Sequence, residues 1–155
     1  MTEPNAGHLR VAAVTADDAA LLRALRCGRI DAPWTVEAED YIHLTLPSEL
    51  RSGGTRATGL WNGNDLVAVA AWRMETAPPV CRCFCLATAL AWQRRGCARR
   101  LKTSVLAQAK AEGKIAVTSL VHEDNAVMRR LNAELGGIED SPDEDGYHLI
   151  SIRVS

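Results

Sequence analysis

The chain lacks the long apolar run that a membrane-spanning helix requires. No stretch of its 155 residues approaches the roughly 18–20 consecutive apolar residues that cross a bilayer. Residues 1–8 contain neither the basic segment nor the apolar segment of a secretory signal. We therefore predict a cytoplasmic protein with no membrane partner, in which residues 1–8 form a flexible tail.

The chain also lacks an excess of charge of either sign. Its formal net charge is −1, so we expect no nucleic-acid partner, and any electrostatic function must be local. Hydrophobic residues make up 47% of the sequence and charged residues 24%, which are ordinary proportions for a globular protein. Together with the length, this composition predicts one domain over residues 1–155.

A second cysteine pair, which structural zinc sites usually need, is missing. Five cysteines are present, and three form the segment Cys81-Arg82-Cys83-Phe84-Cys85. Residues two apart on a strand share a face, and cysteines placed in this way are poorly oriented to bridge one another. We predict reduced, mostly buried cysteines and no metal, and a metal or redox role is the alternative.

The apolar pattern alternates between strand-like and helix-like periods along almost the whole chain. Strands are predicted over residues 9–14, 56–61, 66–74, 80–90, 115–121 and 147–154. Helices are predicted over residues 16–27, 97–112 and 125–135, with a less regular helical segment over residues 35–51. The order β-α-α-β-β-β-α-β-α-β-β predicts an α/β fold of the α+β sandwich type. Its twisted sheet is mixed and mostly antiparallel, with about six or seven strands and about four helices.

Two short motifs mark the ends of these elements. Thr15-Ala16-Asp17-Asp18 has the spacing of a capping box at the start of the first helix. Asn62-Gly63-Asn64-Asp65 contains residues that tolerate positive φ and therefore predicts a hairpin turn between two strands.

The segment Gln93-Arg94-Arg95-Gly96-Cys97-Ala98 follows a predicted strand and opens a predicted helix. The first N–H groups of a helix lack partners within the helix and carry the positive end of its dipole. Gly96 allows a ligand to approach the backbone closely, and Ala98 keeps the first helical turn free of bulky groups. These features predict a binding site for a pyrophosphate group.

Five basic residues crowd the start of the same helix, namely Arg94, Arg95, Arg99, Arg100 and Lys102. Each cation there opposes the helix dipole at a cost of about 0.3–1 kcal/mol, whereas an anionic ligand reverses the sign of this effect. A solvated basic face, or a surface that contacts nucleic acid or protein, remains open as an alternative. The Gly-Lys-Ser/Thr of a Walker loop and the Gly-x-Gly-x-x-Gly of a dinucleotide fold are both absent.

With these motifs the sequence resembles the GNAT superfamily of N-acetyltransferases over about residues 56–154. The diagnostic loop of that family, Gln/Arg-x-x-Gly-x-Gly/Ala, matches residues 93–98, and the strand before it matches Leu86-Ala87-Thr88. A second family element, a strand followed by Asn and a helix ending in Leu-Gly-Phe, resembles residues 121–137. Asn125 takes the place of the Asn, and Gly137 stands where Phe is usual.

The resemblance implies an N-acetyltransferase that moves an acetyl group from acetyl-CoA to a primary amine by direct attack, without a metal. It implies that the amides of residues 94–98 hold the pyrophosphate and that residues 86–88 pair with the pantetheine arm. The Thr88 amide would polarise the thioester carbonyl. The implied cofactor-binding residues are Leu86, Ala87, Thr88, Gln93, Arg94, Arg95, Gly96, Cys97, Ala98, Arg99, Asn125, Met128 and Asn132.

The catalytic acid and base are less well marked. Many relatives place a Tyr seven residues after the Asn, where this chain has Asn132, and Asn cannot protonate a thiolate. Tyr147 on the last strand is the candidate substitute. His122, whose residue type titrates near neutrality, is a candidate base, and Glu75 and Glu123 are alternatives.

The resemblance places the acyl acceptor near the first two helices and the last hairpin, which makes Trp34 and Tyr41 candidate substrate-binding residues. The acidic residues 139–145 would attract a cationic amine, although a solvated turn is the ordinary fate of such a run. The amine could belong to a small molecule or to a protein. A CoA-binding module with little catalysis and an interaction domain on the basic patch are alternatives, and a homodimer is compatible with the fold.

Overall fold

The computed structural model describes residues 6–155. Its strands are β1 (Arg10–Val14), β2 (Arg56–Asn62), β3 (Asp65–Met74), β4 (Val80–Thr88), β5 (Ala116–His122), β6 (Ile138–Glu139) and β7 (Tyr147–Arg153). Its α-helices are α1 (Ala19–Ala24), α2 (Pro33–Leu44), α3 (Leu46–Ser52), α4 (Cys97–Ala111) and α5 (Ala126–Glu134). Short 3-10 turns cover Ala6–His8, Ala16–Asp18 and Leu90–Trp92. Of the predicted flexible tail, residues 6–8 thus form a turn, and residues 1–5 lie outside the described part.

The strands form a seven-stranded sheet in the order β1-β2-β3-β4-β5-β7-β6. Strands β4 and β5 are parallel, whereas β1 and β2, β2 and β3, β5 and β7, and β6 and β7 pair antiparallel. The predicted mixed, mostly antiparallel sheet is therefore confirmed. The predicted hairpin is confirmed as well, because Asn62 pairs with Asp65 across the turn.

The number of helices differs from the expected four because the irregular segment over residues 35–51 forms two helices. Helix α2 ends at Leu44, and Pro47 lies in the first turn of α3. Proline has no N–H to donate to the residue four positions earlier, and its ring would clash with the carbonyl there, so a regular α2 does not continue through this position.

The first predicted helix is shorter than expected. Residues 16–18 form a 3-10 turn, and α1 ends at Ala24, well before Gly28. Leu25 is already extended, with ψ at 119°. The backbone after it takes tertiary partners instead, since the Cys27 N–H donates to Glu39 Oε1 at 3.1 Å. The predicted capping box is confirmed, because the Thr15 N–H donates to Asp18 Oδ2 at 2.8 Å.

The described chain consists of two compact units. The first comprises residues 6–72 together with Cys85–Ser104. Its core contains fully buried aliphatic side chains from four helices and one strand, namely Leu22, Ile42, Leu46, Leu60 and Leu101. These side chains hold α1 to α3 and the start of α4 in place, and so support the segment that joins β4 to α4.

The second unit comprises Arg73–Phe84 and Val105–Ser155. Its centre is the β5–β7 ladder, which runs without a shift from the Ala116–Arg153 pair to the His122–Tyr147 pair. Because side chains alternate along a strand, one face of this ladder is buried throughout. Val117 and Ile150 on that face are each at most 1% exposed.

All five cysteines are free and buried, as predicted. Burial raises the pKa of the Cys27 thiol to about 11 and also raises the pKa of Cys97. A thiol with a raised pKa holds little thiolate near neutral pH, so neither side chain is a reactive nucleophile. Within residues 6–155 no group of three or more His, Cys, Asp or Glu side chains is arranged to hold a metal ion. No helix in the same range is long and apolar enough to span a membrane.

Gly137 is closely packed within the second unit. A Cβ atom at this position would lie 2.7 Å from the Asn132 carbonyl oxygen and 2.9 Å from Ile150 Cγ2. Both distances are shorter than a van der Waals contact, and the carbonyl belongs to the backbone, which cannot move easily. The structure therefore has no space for a side chain at the position where relatives usually carry Phe.

We expect Gly137→Ala to lower the free energy of unfolding by about 1–3 kcal/mol, the range for overpacking in a well-packed interior. Gly54→Ala is the control, because a Cβ at Gly54 meets nothing within 4 Å, and its effect should stay within about 0.5 kcal/mol. Chemical denaturation of both variants measures the difference. Equal stabilities would contradict the packing described for Gly137.

A bidentate ion pair joins α5 to β6 in the second unit. Arg129 Nε and a terminal guanidinium nitrogen donate to the two carboxylate oxygens of Glu139, each at 3.0 Å. The hydrogen bond to Arg129 lowers the pKa of Glu139, and His148 contributes in the same direction. A lowered pKa means that the pair stabilises the folded state only while the carboxylate is ionised.

This pair predicts a pH-dependent difference in stability between wild type and Glu139→Gln. The difference should be constant above about pH 5, where Glu139 is ionised even in the unfolded chain, and should shrink as the pH falls through the lowered pKa. Urea unfolding between pH 3 and 7 measures it, with Glu144→Gln as a control carboxylate outside the pair. A difference independent of pH would show that the pair does not form in solution.

Candidate functional site

The segment between β4 and α4 in the first unit has an unusual backbone. After the 3-10 turn at Leu90–Trp92, Gln93 is extended, with φ −68° and ψ 150°. Arg94 follows with a φ of 63° and Gly96 with a φ of 86°, both in the left-handed region. The Arg100 N–H then donates to the Gly96 carbonyl at 3.2 Å. The two residues are four apart, as in an α-helix, so this bond marks the start of α4.

Side-chain hydrogen bonds hold this segment in place. Gln93 Nε2 donates to the Thr88 carbonyl oxygen at 3.1 Å, so the side chain ties the loop to the end of β4. Arg95 Nε donates to the Ala91 carbonyl at 3.0 Å. The Gln of the predicted motif therefore has a structural role, because it fixes the position at which the strand stops.

Arg94 is the only non-glycine residue with positive φ among the described residues. The left-handed conformation costs such a residue about 1–2 kcal/mol, and backbone outliers of this kind concentrate at functional sites. Left-handed residues at positions 94 and 96 are followed directly by the start of α4, and the first N–H groups of a helix suit an anion. The pyrophosphate site expected from the sequence stays a prediction at this segment.

Fewer than the five predicted basic side chains are exposed at the start of α4. Lys102 lies beyond the first turn of α4 and is only 2% exposed. The guanidinium of Arg100 donates to the Leu9 carbonyl and is partly buried. Arg94 and Arg99 are exposed and Arg95 partly so, which leaves three guanidinium groups at the helix start.

Cys97 contributes to this segment through its backbone. The side chain is buried, and its Sγ donates to the Trp92 carbonyl at 3.6 Å.

On β4, Ala87 is buried, whereas Leu86 and Thr88 are half-buried on the opposite face. In the second unit the β4–β5 ladder ends with the Arg82–Thr118 pair, although both strands continue beyond it.

Asn125 and Asn132 are placed differently on α5. Asn125 is the N-cap of α5, and its side chain accepts the Met128 N–H at 3.3 Å. Asn132 is fully buried, and its Nδ2 donates to the Met128 carbonyl at 3.0 Å. The Oδ1 atom of Asn132 is buried and has no hydrogen-bond partner among the described residues. A buried acceptor left without a donor costs about 1–3 kcal/mol.

His122 and Tyr147 meet at the end of the β5–β7 ladder. Their rings pack edge to face, with centroids 5.2 Å apart and planes at 86°. The Asp124 N–H donates to His122 Nδ1 at 3.1 Å, so the neutral imidazole carries its proton on Nε2. In this tautomer His122 is a hydrogen-bond donor at Nε2, which argues against its action as a base there.

The remaining candidates have structural partners. Glu75 forms an ion pair with Arg82 at 3.1 Å. Tyr41 donates its hydroxyl to Glu49 Oε2 at 2.7 Å and so links α2 to α3. Trp34 is half-buried in the first turn of α2.

Two residues near His122 were missed by the sequence analysis. Asp124 fixes the His122 tautomer through its backbone N–H, and Gly146 lies so close that a Cβ there would be 3.3 Å from His122 Nε2. Gly146 has a φ of 85°. No sequence signal joins residue 146 to residue 122, because the contact arises from the hydrogen bond between the Glu123 N–H and the Gly146 carbonyl.

Comparisons with known proteins identify the family and the fold of the chain. The sequence profile of the acetyltransferase (GNAT) family matches residues 17–136, well over half of the chain. A search of curated protein sequences finds no match. Among solved structures, the chain is similar to the PaiA N-acetyltransferase from Thermoplasma acidophilum in complex with coenzyme A. That likeness has a TM-score of 0.74 and 11% identity, and covers 94% of this chain and 98% of the other.

Two further structures are similar over comparable lengths. One is the ribosomal-protein-S18-alanine N-acetyltransferase from Escherichia coli, with a TM-score of 0.72, 17% identity and coverage of 95% and 94%. The other is AtaTR bound with AcCoA, with a TM-score of 0.72, 15% identity and coverage of 94% and 93%. At these identities the likeness establishes the fold, and the profile match establishes the family. The chain belongs to the GNAT family of acetyltransferases.

Proposed function

We propose that this protein is an N-acetyltransferase that moves an acetyl group from acetyl-CoA to a primary amine. The observation that carries the proposal is the segment from Gln93 to Ala98, in which Arg94 and Gly96 adopt positive φ at the start of α4. Structural similarity to proteins in complex with coenzyme A and bound with AcCoA supports the same cofactor.

The residues of this segment fit a pyrophosphate chemically. The N–H groups at the start of α4 are donors without acceptors inside the helix, and the guanidinium groups of Arg94, Arg95 and Arg99 add positive charge. We propose that these groups hold the pyrophosphate and that residues 86–88 hold the pantetheine arm. Asn125, Met128 and Asn132 are proposed as further contacts, as the family resemblance implies.

Acetyl-CoA, when bound, supplies an activated acetyl thioester. The Thr88 N–H is proposed to donate to the acetyl carbonyl oxygen and to stabilise the charge that develops there. Tyr147 Oη is proposed to hold the proton for the departing sulfur, because Asn132 has no proton to give. His122 donates at Nε2 in the observed tautomer, so the ammonium proton of the acceptor leaves to solvent, to Glu123 or to Glu75.

One observation favours a second candidate function, a CoA-binding module with little catalysis. Asn132 occupies the position at which many relatives carry the Tyr acid, and its side chain is fully buried. A protein that binds the cofactor without a positioned acid transfers the acetyl group slowly. The basic-patch interaction domain is less well supported, because Lys102 is buried and Arg100 donates to a backbone carbonyl.

We expect Gly96→Asp to abolish acetyl-CoA binding, because it puts a carboxylate beside the anion site. Gly113→Asp is the matched control: Gly113 also has a positive φ, 77°, but lies after α4 in open space. Both variants carry similar backbone strain.

Thermal unfolding measures binding, with ATP and NAD as comparison ligands. Saturating acetyl-CoA should raise the Tm of wild type and of Gly113→Asp but not that of Gly96→Asp. At about 100 times Kd the stabilisation is roughly 2.7 kcal/mol, or several degrees. Unchanged affinity in Gly96→Asp would remove the loop from the binding site.

We expect Tyr147→Phe to reduce kcat by about 100-fold or more if the hydroxyl supplies the proton. The substitution keeps the ring that contacts His122, so it tests the hydroxyl alone, and acetyl-CoA affinity should not change. Acetyl transfer to a panel of primary amines is the assay. Wild-type rates in Tyr147→Phe would mean that solvent or another group protonates the sulfur. Wild-type protein that binds acetyl-CoA tightly but acetylates no amine would support the binding-module alternative.

A further inference from the structure

Two leucines are exposed on the outer face of the β5–β7 ladder, where a solvated sheet face ordinarily carries polar residues such as its Thr118 and Ser151. The alternate residues of both strands, which form the inner face, are all buried, namely Val117, Ser119, Val121, His148, Ile150 and Ile152. On the outer face Leu120 is 62% exposed and Leu149 is 39% exposed, and on β6 Ile138 is 74% exposed. All three are among the exposed large apolar residues of the described part of the chain.

The three side chains form one patch, because the strand register brings them together. Leu120 and Leu149 are directly opposite each other on β5 and β7. Ile138 on β6 is opposite Ser151, which lies two residues from Leu149 on the same face of β7. Directly paired side chains have Cβ atoms about 5 Å apart, and diagonal ones about 7–8 Å. We refer to Leu120, Leu149 and Ile138 as the apolar patch.

The exposure of these side chains indicates an open surface rather than a pocket. Small-molecule sites are concave and enclose most of their ligand, so the side chains that line them are largely shielded. Leucine and isoleucine side chains that stand 62% and 74% exposed are not enclosed. Contiguous exposed apolar residues mark interaction sites, and protein–protein interfaces are among these.

One end of the patch is strongly acidic. Glu123 and Asp124 follow β5, and residues 143–145, which are Asp, Glu and Asp, precede β7. The Glu123 N–H donates to the Gly146 carbonyl at 2.7 Å, so the two turns lie side by side. All five carboxylate side chains are exposed, and their combined field attracts a cation to this end of the ladder.

The acidic end coincides with the His122–Tyr147 pair. This pair is two residues along the ladder from the Leu120–Leu149 pair. A strand rises about 3.3 Å per residue, so the two pairs are about 7 Å apart. An extended peptide with the same rise spans this distance between its terminal amine and the side chain of its second or third residue.

We propose that the outer face of β5, β7 and β6 docks the acyl acceptor, and that this acceptor is a polypeptide with a free N-terminal amine and an apolar second or third residue. The amine lies at the acidic end beside His122 and Tyr147, and the apolar side chain lies on the apolar patch. This inference rests on the proposed acetyl transfer and names its substrate class. The docking itself is a binding event that can be measured without the cofactor.

The test uses matched octapeptides without Lys, with a free N-terminus and either Leu and Phe or two Ser at positions two and three. Binding to the full chain is measured by fluorescence anisotropy for wild type, Leu120→Ser/Leu149→Ser and the control Leu44→Ser, an exposed leucine at the end of α2. The apolar peptide should bind wild type and the control about tenfold or more tightly than it binds the double variant. The Ser peptide should bind all three weakly.

A second comparison tests the acidic end. Glu144→Gln/Asp145→Asn should weaken binding of the free-amine peptide severalfold and leave binding of the N-acetylated peptide unchanged. Chemical-shift changes on peptide addition should map to the amides of Leu120, Leu149 and Ile138. Equal affinity for apolar and Ser peptides, or for wild type and the leucine double variant, would overturn the proposal. A wild-type dimer that Leu120→Ser/Leu149→Ser converts to monomer would also overturn it, because a second copy would then occupy the patch.

The experiments distinguish a failure of peptide docking from a failure of the proposed acetyl transfer. The acetyl-CoA thermal shift is measured on the same leucine variants and should equal that of wild type. If peptide binding follows the expected pattern but acetyl-CoA gives no shift in wild type, acetyl transfer fails while the docking surface stands. If acetyl-CoA binds and simple monoamines are acetylated as well as the apolar peptide, the polypeptide acceptor is wrong and acetyl transfer stands.

Discussion

The hydrogen bond from Gln93 Nε2 to the Thr88 carbonyl fixes where β4 stops and where the chain turns toward α4. With the loop anchored in this way, three residues, 94–96, remain before α4 begins at Cys97. Within them the backbone adopts positive φ at Arg94 and again at Gly96. The strain at Arg94 thus lies in the short connection whose start this hydrogen bond sets. The rest of the first unit, with its buried leucines from α1 to α3, supports the strand end to which this hydrogen bond is made.

Much of this architecture could be predicted from the sequence because the decisive signals are local. The capping box at Thr15, the hairpin turn over residues 62–65 and the start of α4 at Cys97 each depend on a few neighbouring residues. Features that depend on distant partners could not be predicted. The early end of α1 follows from a bond to Glu39, and the burial of Lys102 depends on what packs around α4. The positive φ of Arg94 has no signal in its residue type, since arginine rarely adopts it.

The candidate chemistry of the second unit depends on the direction of hydrogen bonds, which sequence does not reveal. His122 was predicted as a base from its residue type, but the Asp124 N–H occupies Nδ1 and leaves the proton on Nε2. Glu75 was predicted as an alternative, and its carboxylate forms an ion pair with Arg82. The ring of Tyr147 packs edge to face against His122, and its role as the acid stays a prediction. Residue type therefore identified the candidates, and the bonding pattern determines what each can do.

The two positions at which this chain departs from the usual family pattern, Asn132 and Gly137, are in contact with each other. The Gly137 N–H donates to the Asn132 carbonyl at 2.8 Å, and the same carbonyl closes off the space that a side chain at residue 137 would need. The contact is made by the backbone of residue 132, so it persists whichever side chain that residue carries. A side chain at residue 137 would instead require the last turn of α5 to move. The size of residue 137 thus sets how closely the chain can pass the end of that helix.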